Sequence, residues 1–272
     1  MELPNEISML QWLEKLQAKG VYGFSVERLK LENPQHTDTA VKRALSRLSS
    51  KGKVVSVFKG YYLILPPAYA SKGILPPPLF LDAFMHYLQR PYYVSLLNAA
   101  AIHGASHQQP QEYFVTTLFP VLRPTHKQGL KINYISIKDF PETLLEKRKT
   151  EAGYLLYSNA VLTATDLIQF EKRVGGLNRA AAVLYELVEN IKSSDFTPAL
   201  LNHVPVTALQ RLGYLLDKVC HQKALADALF EAMLTAQLKL FRIPLKASEP
   251  THGHAAGNRW KVVVNTAIEI DA

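Results

Sequence analysis

Six basic side chains and a single acid lie between Asp38 and Lys59. Lys42, Arg43, Arg47, Lys51, Lys53 and Lys59 stand against Asp38, six minus one, a net of +5 over 22 residues. On a helical wheel turning about 100° per residue, Val41, Leu45 and Leu48 share one side. Thr39, Arg43, Ser46 and Ser50 fall opposite, flanked by Lys42 and Arg47. A solvated helix face ordinarily mixes charge signs so that neighbours a turn apart pair. This face does not, so its mutual repulsion is relieved only by an arriving anion. The chemistry on offer is recognition of a polyanion. Arg43 and Arg47 carry forked donors that suit guanine edges or phosphates. Thr39 and Ser46 are short enough to reach bases or backbone. Lys42, Lys53 and Lys59 suit phosphates, which set affinity and orientation rather than sequence preference.

Other residue groups offer less. The chain has no GxGxxG, Walker, HExxH or GxSxG pattern and no cysteine pair. "VGGLN" (Val174 to Asn178) reads as a helix stop and restart. His103 and His107 are four apart but separated by Gly104, and His252 and His254 sit in a Gly- and Ala-rich loop. No metal and no cofactor are expected. Asp139 and Glu142 are the best-spaced acids for a Mg²⁺ nuclease, and solvated surface is the preferred reading. Cys220, the single cysteine, lies among Leu215, Leu216 and Val219 and reads as a buried thiol.

Those groups need elements to hold them. Ile7, Leu10, Leu13 and Leu16 predict a helix over 5–19, capped by Asn5 or Ser8 and stopped at Gly20. Ser25 caps a second helix to about Leu31. Thr37 or Asp38 caps a third, of about thirteen residues, ending at Lys51-Gly52. "KVVSVFKGYYLIL" predicts two strands joined at Lys59-Gly60, with Tyr61 and Tyr62 as strand packing. Three helices and a hairpin in that order are the order of a winged helix-turn-helix, which places its third helix in the major groove. "PPAYASKGILPPP" (Pro66 to Pro78) reads as a stiff linker. The expected organisation is therefore 1–67 as a DNA-binding winged helix, 68–78 as linker, and 79–272 as a larger α+β domain. In that domain helices are expected over 79–89 and 93–104. Strands are expected at "EYFVTTLF", "KINYISI" and "AGYLLYS", followed by a helical part from Asn159 to about Leu240. A closing strand, "RWKVVVNTAIEI", completes it.

The bulk numbers fit. A net charge of +8 and a pI near 9.4 are compatible with nucleic acid. One cysteine suits a reducing compartment. The N-terminus shows no signal core and no run nears 18 apolar residues, so a cytoplasmic protein with no membrane partner is expected.

Several stretches carry a family resemblance. "PYYVSLLNAAAIHGASHQQPQEYFVTT" (Pro91 to Thr117) has a Tyr-Tyr helix followed by His-Gly. "SNAVLTATDLI" supplies Ser158, Thr163 and Asp166, with Ala160, Val161 and Leu162 where a Pro-Glu-Arg is common. "RLGYLLDK" and "NRWKVVVN" follow. In this order the chain resembles the AbiEi-like antitoxins of the abortive-infection AbiE systems, a type IV toxin-antitoxin family. The resemblance implies a non-enzymatic, bifunctional phage-defence protein. Its N-terminal domain would bind inverted repeats in its own promoter and repress the operon. Its C-terminal domain would neutralise a nucleotidyltransferase-like toxin. Such antitoxins are described as acting without a stable toxin complex, and direct binding stays open. Tyr92, Tyr93, His103, Ser158, Thr163 and Asp166 are the family-matched residues. Each also has a structural reading: Ser158 as a helix cap, Asp166 as partner of a basic group, the tyrosines and histidine as core. Two rival functions remain, a one-component regulator whose second domain binds a small ligand, and a DNA-targeted nuclease.

Overall fold

The computed structural model describes residues 9–105, 110–127 and 129–270. The expected cap at Asn5 or Ser8, and His107, lie outside the described residues. Helices and strands come in runs along the chain, and the fold is α+β. The first elements are α1 (Met9–Ala18), β1 (Gly23–Ser25), α2 (Val26–Glu32), α3 (Asp38–Ser50), β2 (Val54–Phe58) and β3 (Tyr61–Ile64). The local signals act as their chemistry requires. Ser25 accepts from the Arg28 N–H at 3.1 Å to open α2, and Thr37 accepts from the Ala40 N–H at 3.3 Å to open α3. Gly52, at φ +63°, lets the chain leave α3 in the left-handed region. The three strands pair antiparallel in the order β1-β3-β2. Trp12, Leu13, Leu16, Phe24, Leu29, Val41 and Leu45 meet in one core against them. Trp12 meets Phe24 edge to face at 5.2 Å, and each such buried side chain contributes roughly 2 kcal/mol.

Proline sets the backbone after β3 as two 3-10 turns, Pro67–Tyr69 and Pro77–Leu79, with Leu75 and Leu79 buried. Helix α4 (Leu81–Tyr87) follows. Then come β4 (Tyr92–Val94), α5 (Leu96–Ile102), β5 (Tyr113–Leu118), β6 (Thr125–Lys127), β7 (Leu130–Ile137), β8 (Leu145–Thr150) and β9 (Gly153–Ser158). These strands form a six-stranded sheet in the order β6-β7-β5-β4-β9-β8. Strand β4 replaces the first residues of the helix expected over 93–104, because aromatic and β-branched Tyr92, Tyr93 and Val94 prefer a pleated, buried position.

Helices α6 (Ala160–Gln169), α7 (Leu177–Leu187), α8 (Pro198–His203), α9 (Val206–Lys218) and α10 (Lys223–Thr235) make the helical part. Every residue of α6 from Ala160 to Ile168 is buried, and α5, α7 and α9 pack around it. A helix buried on every side belongs at a centre. The closing strand expected over 259–270 is reduced to β11 (Val262–Val263), paired in parallel with β10 (Ile243–Pro244). Lys261 sits at φ +53°, which ends extended backbone on one side. Side-chain amides then take the place of a ladder: Asn258 accepts from the Val262 N–H at 3.2 Å, and Asn265 bonds both Lys246 backbone groups.

Compactness divides the chain into a unit of Met1–Tyr92, Thr117–Ile137 and Lys147–Leu156, and a second of Tyr93–Thr116, Lys138–Glu146 and Tyr157–Ala272. Neither is contiguous in sequence. Helix α4 and strands β6 and β7 group with the N-terminal elements. No helix among the described residues is long and apolar enough to cross a membrane.

Candidate functional site

In the first unit, the third helix carries its cations outward. Val41 and Leu45 are 1% and 4% exposed, whereas Thr39, Lys42, Arg43, Ser46 and Arg47 all lie at the surface. Lys53 and Lys59 are exposed at the ends of strand β2 and its turn. The only acid of the stretch is already matched: Lys30 of α2 reaches Asp38 at 2.8 Å and holds its carboxyl below the usual carboxylate range. Among the described residues none of Lys42, Arg43, Arg47, Lys51, Lys53 and Lys59 shares an ion pair. The helix surface has two sides. Lys42, Ser46 and Ser49 line a hollow of about 300 Å³ that reaches Gly60 and Tyr62 of the β2–β3 turn region. Thr39, Arg43 and Arg47 lie outside that hollow. Tyr61 is buried and Tyr62 stacks on Phe24 at 5.8 Å, so both tyrosines are packing residues.

The family-matched residues of the second unit form two buried polar groups. Tyr93 donates its hydroxyl to the Asp166 carboxylate at 3.3 Å, bringing α6 to strand β4. Thr116 of β5 hydrogen-bonds Tyr93 and donates to the Ser95 hydroxyl at 2.8 Å. All four residues are 3% exposed or less. Burial pushes the Asp166 carboxyl up to about 7, partly offset by the Tyr93 hydrogen bond. Its partner is therefore a neutral phenol and not the basic group that the sequence suggested. A second group joins Ser158 and Thr163, whose hydroxyls are 2.7 Å apart. Thr163 also donates to the carbonyls of Ser158 and Asn159 at 3.1 and 2.8 Å. His103 donates from Nε2 to the Ser158 carbonyl at 2.9 Å. The cap of α6 is Asn159, which accepts from the Leu162 N–H at 3.0 Å, and not Ser158. Tyr92 belongs to neither group and donates to Asp82 of α4 at 3.0 Å.

Chemically, these buried hydroxyls and one acid fix helices to strands. Thr116 and Ser95 escaped the sequence reading. The signal for Thr116 was present, since a Thr-Thr pair inside an apolar strand must turn one hydroxyl into the core. Asp139 and Glu142 are exposed, as are His252 and His254. Among the described residues no group of three or more His, Cys, Asp or Glu is placed to hold a metal ion. Cys220 is buried and its thiol is pushed up to about 12 by burial.

Residues 93–218 match the family described as the AbiEi antitoxin C-terminal domain. The fold is similar to the crystal structure of the RV2827C protein from Mycobacterium tuberculosis. The TM-score is 0.68 and identity 17%, over 96% of this chain and 92% of that one. No curated protein matches the chain. The buried Tyr93–Asp166 and Ser158–Thr163 groups both fall inside the matched stretch, and that match supports an AbiEi-like antitoxin family.

Proposed function

We propose that the chain is a DNA-binding repressor and antitoxin. Residues 1–67 act as a winged helix-turn-helix with α3 as recognition helix and the β2–β3 turn as wing. The observation that carries the DNA half is the outward, unpaired cationic face of α3 beside that turn. Arg43 and Arg47 read bases in the major groove, with Thr39 and Ser46 assisting, while Lys42, Lys53 and Lys59 hold phosphates. The DNA is the chain's own promoter, bound at inverted repeats, and binding represses the operon. The antitoxin half rests on the family match over residues 93–218. In this reading the protein is cytoplasmic and non-enzymatic, and counters a nucleotidyltransferase-like toxin of a type IV abortive-infection system.

A mobility shift with the fragment upstream of the gene tests the DNA half. Arg43→Ala and Arg47→Ala are each expected to cost about 1–3 kcal/mol on that fragment and little on unrelated DNA. Lys42→Ala and Lys59→Ala are expected to weaken binding evenly across sequences and to reduce the salt slope by about one each. A double Arg43→Ala/Arg47→Ala protein that retards the fragment as the wild type does would remove α3 from recognition. The antitoxin half is tested by co-expression with the neighbouring toxin gene, where loss of growth rescue on deleting residues 93–218 is the expected result.

A further inference from the structure

We infer that Tyr87 of α4 is a positioning residue for the wing, its hydroxyl anchoring the turn that presents Lys59. The consequence for DNA rests on the reading just given; the geometry does not. Tyr87 donates from Oη to the Lys59 carbonyl at 3.1 Å. The next carbonyl, that of Gly60, accepts from the Val26 N–H at 2.9 Å. Both carbonyls of the two-residue turn are thus held from outside the hairpin, one by α2 and one by α4.

The turn needs that help. Two-residue hairpins favour turns with positive φ at the first central residue or at both, because their twist matches the strands. Here Gly60 has φ +78° and Lys59 is not in the positive region. The turn is therefore not one of the mirror-image types that match the twist of the strands. The pairing of β2 with β3 shifts between Ser56 and Phe58, next to the turn. Aromatic rings from α4 support the base of the hairpin. Phe84 meets Phe58 at 5.9 Å and Tyr61 at 5.1 Å, and Tyr87 lies over Tyr61 at 4.9 Å. Phe84 is fully buried. Tyr87 approaches so closely that a Cβ on Gly60 would lie 3.0 Å from its hydroxyl, and the φ of +78° there also favours glycine.

The hydroxyl and the ring have separable roles. The ring is part of the packed base, and Tyr87→Phe keeps it. The hydroxyl bonds a surface carbonyl that water satisfies when the hydroxyl is gone, so folding stability is not at stake. What is lost is order in the turn, and a mobile Lys59 must then be immobilised when DNA binds.

The test uses full-length Tyr87→Phe protein. By ¹⁵N relaxation the Gly60 amide is expected at an order parameter of about 0.85 in the wild type and below about 0.6 in the variant. Affinity for the upstream fragment is expected to fall roughly five-fold, the effect of ordering one long side chain, with the melting temperature unchanged. An unchanged Gly60 order parameter overturns the anchor. A looser turn with unchanged affinity, or a lower melting temperature that accounts for the affinity loss, overturns the positioning role. Failure of the wild type itself to bind the fragment sinks the DNA reading and this role with it, while the order parameter still decides whether the hydroxyl holds the turn.

Discussion

Gly213→Ala is expected to lower the melting temperature by about 6–12 °C, the effect of about 3 kcal/mol in a chain of this size. Gly213 lies within α9 with a helical φ, so its backbone would accept alanine and on helix propensity alone the change would help. Space decides otherwise. A Cβ there would overlap the Trp260 ring at Cζ3, Cη2 and Cε3. Trp260 is fully buried and cannot slide away. Its indole N–H donates to Asp217 at 3.3 Å, and its carbonyl accepts from Gln210. Phe230 meets it edge to face at 5.3 Å, and the Arg259 guanidinium lies 5.0 Å from its ring centre. Trp260→Ala opens a cavity and costs about 3–5 kcal/mol. The double variant should lose much less than the sum, because alanine at 213 partly fills the hole that the indole leaves. Thermal unfolding of the three variants checks this, and strict additivity would show that the two residues do not share one packing site.

Asp166→Asn should remove a pH dependence. Burial holds the folded Asp166 carboxyl at about 7, above the ordinary 3.8 of an aspartate. The folded chain therefore holds more protons than the unfolded chain between those values, and stability falls as pH rises through the window. The group is costless below about pH 4 and fully destabilising above about pH 7. The difference is on the order of 4 kcal/mol at 1.36 kcal/mol per unit. Asparagine keeps an oxygen for the Tyr93 hydroxyl and never ionises. The variant should be more stable than wild type in urea at pH 8 and should lose much of that advantage at pH 5. An equal difference at both values would mean that Asp166 does not titrate in this range.

Much of the chain was legible in advance because its signals are local. Thr37 followed by Val41, Leu45 and Gly52 dictated α3 and its outward cations without reference to the rest of the fold. Strand β8 was not legible: "LEKRKT" has no apolar alternation, and it needs none at the edge of a sheet, where charge discourages further pairing. Strand β1 is three residues long, too short to show a period. The Tyr93–Asp166 bond joins residues 73 apart, and no spacing rule connects them. The family resemblance selected both residues, but only the fold pairs them and adds Thr116 and Ser95. The proline-rich stretch depends on packing as well. Its prolines fix φ, and the buried Leu75 and Leu79 decide where the chain goes.

The segment after α10 has almost no ladder, and a few side chains stand in for one. Gln210, fully buried, bonds the Phe241 carbonyl and N–H at 2.7 and 3.3 Å as well as the Trp260 carbonyl. Asn258 and Asn265 close the remaining loops. Order built this way is concentrated, not distributed. When a ladder frays, it loses one rung at a time. Here, loosening the Gln210 amide releases both strands of chain that converge on it. Residues 241–265 should therefore open and close as one cooperative segment, exchanging their protected amides together while the helices beneath them stay closed.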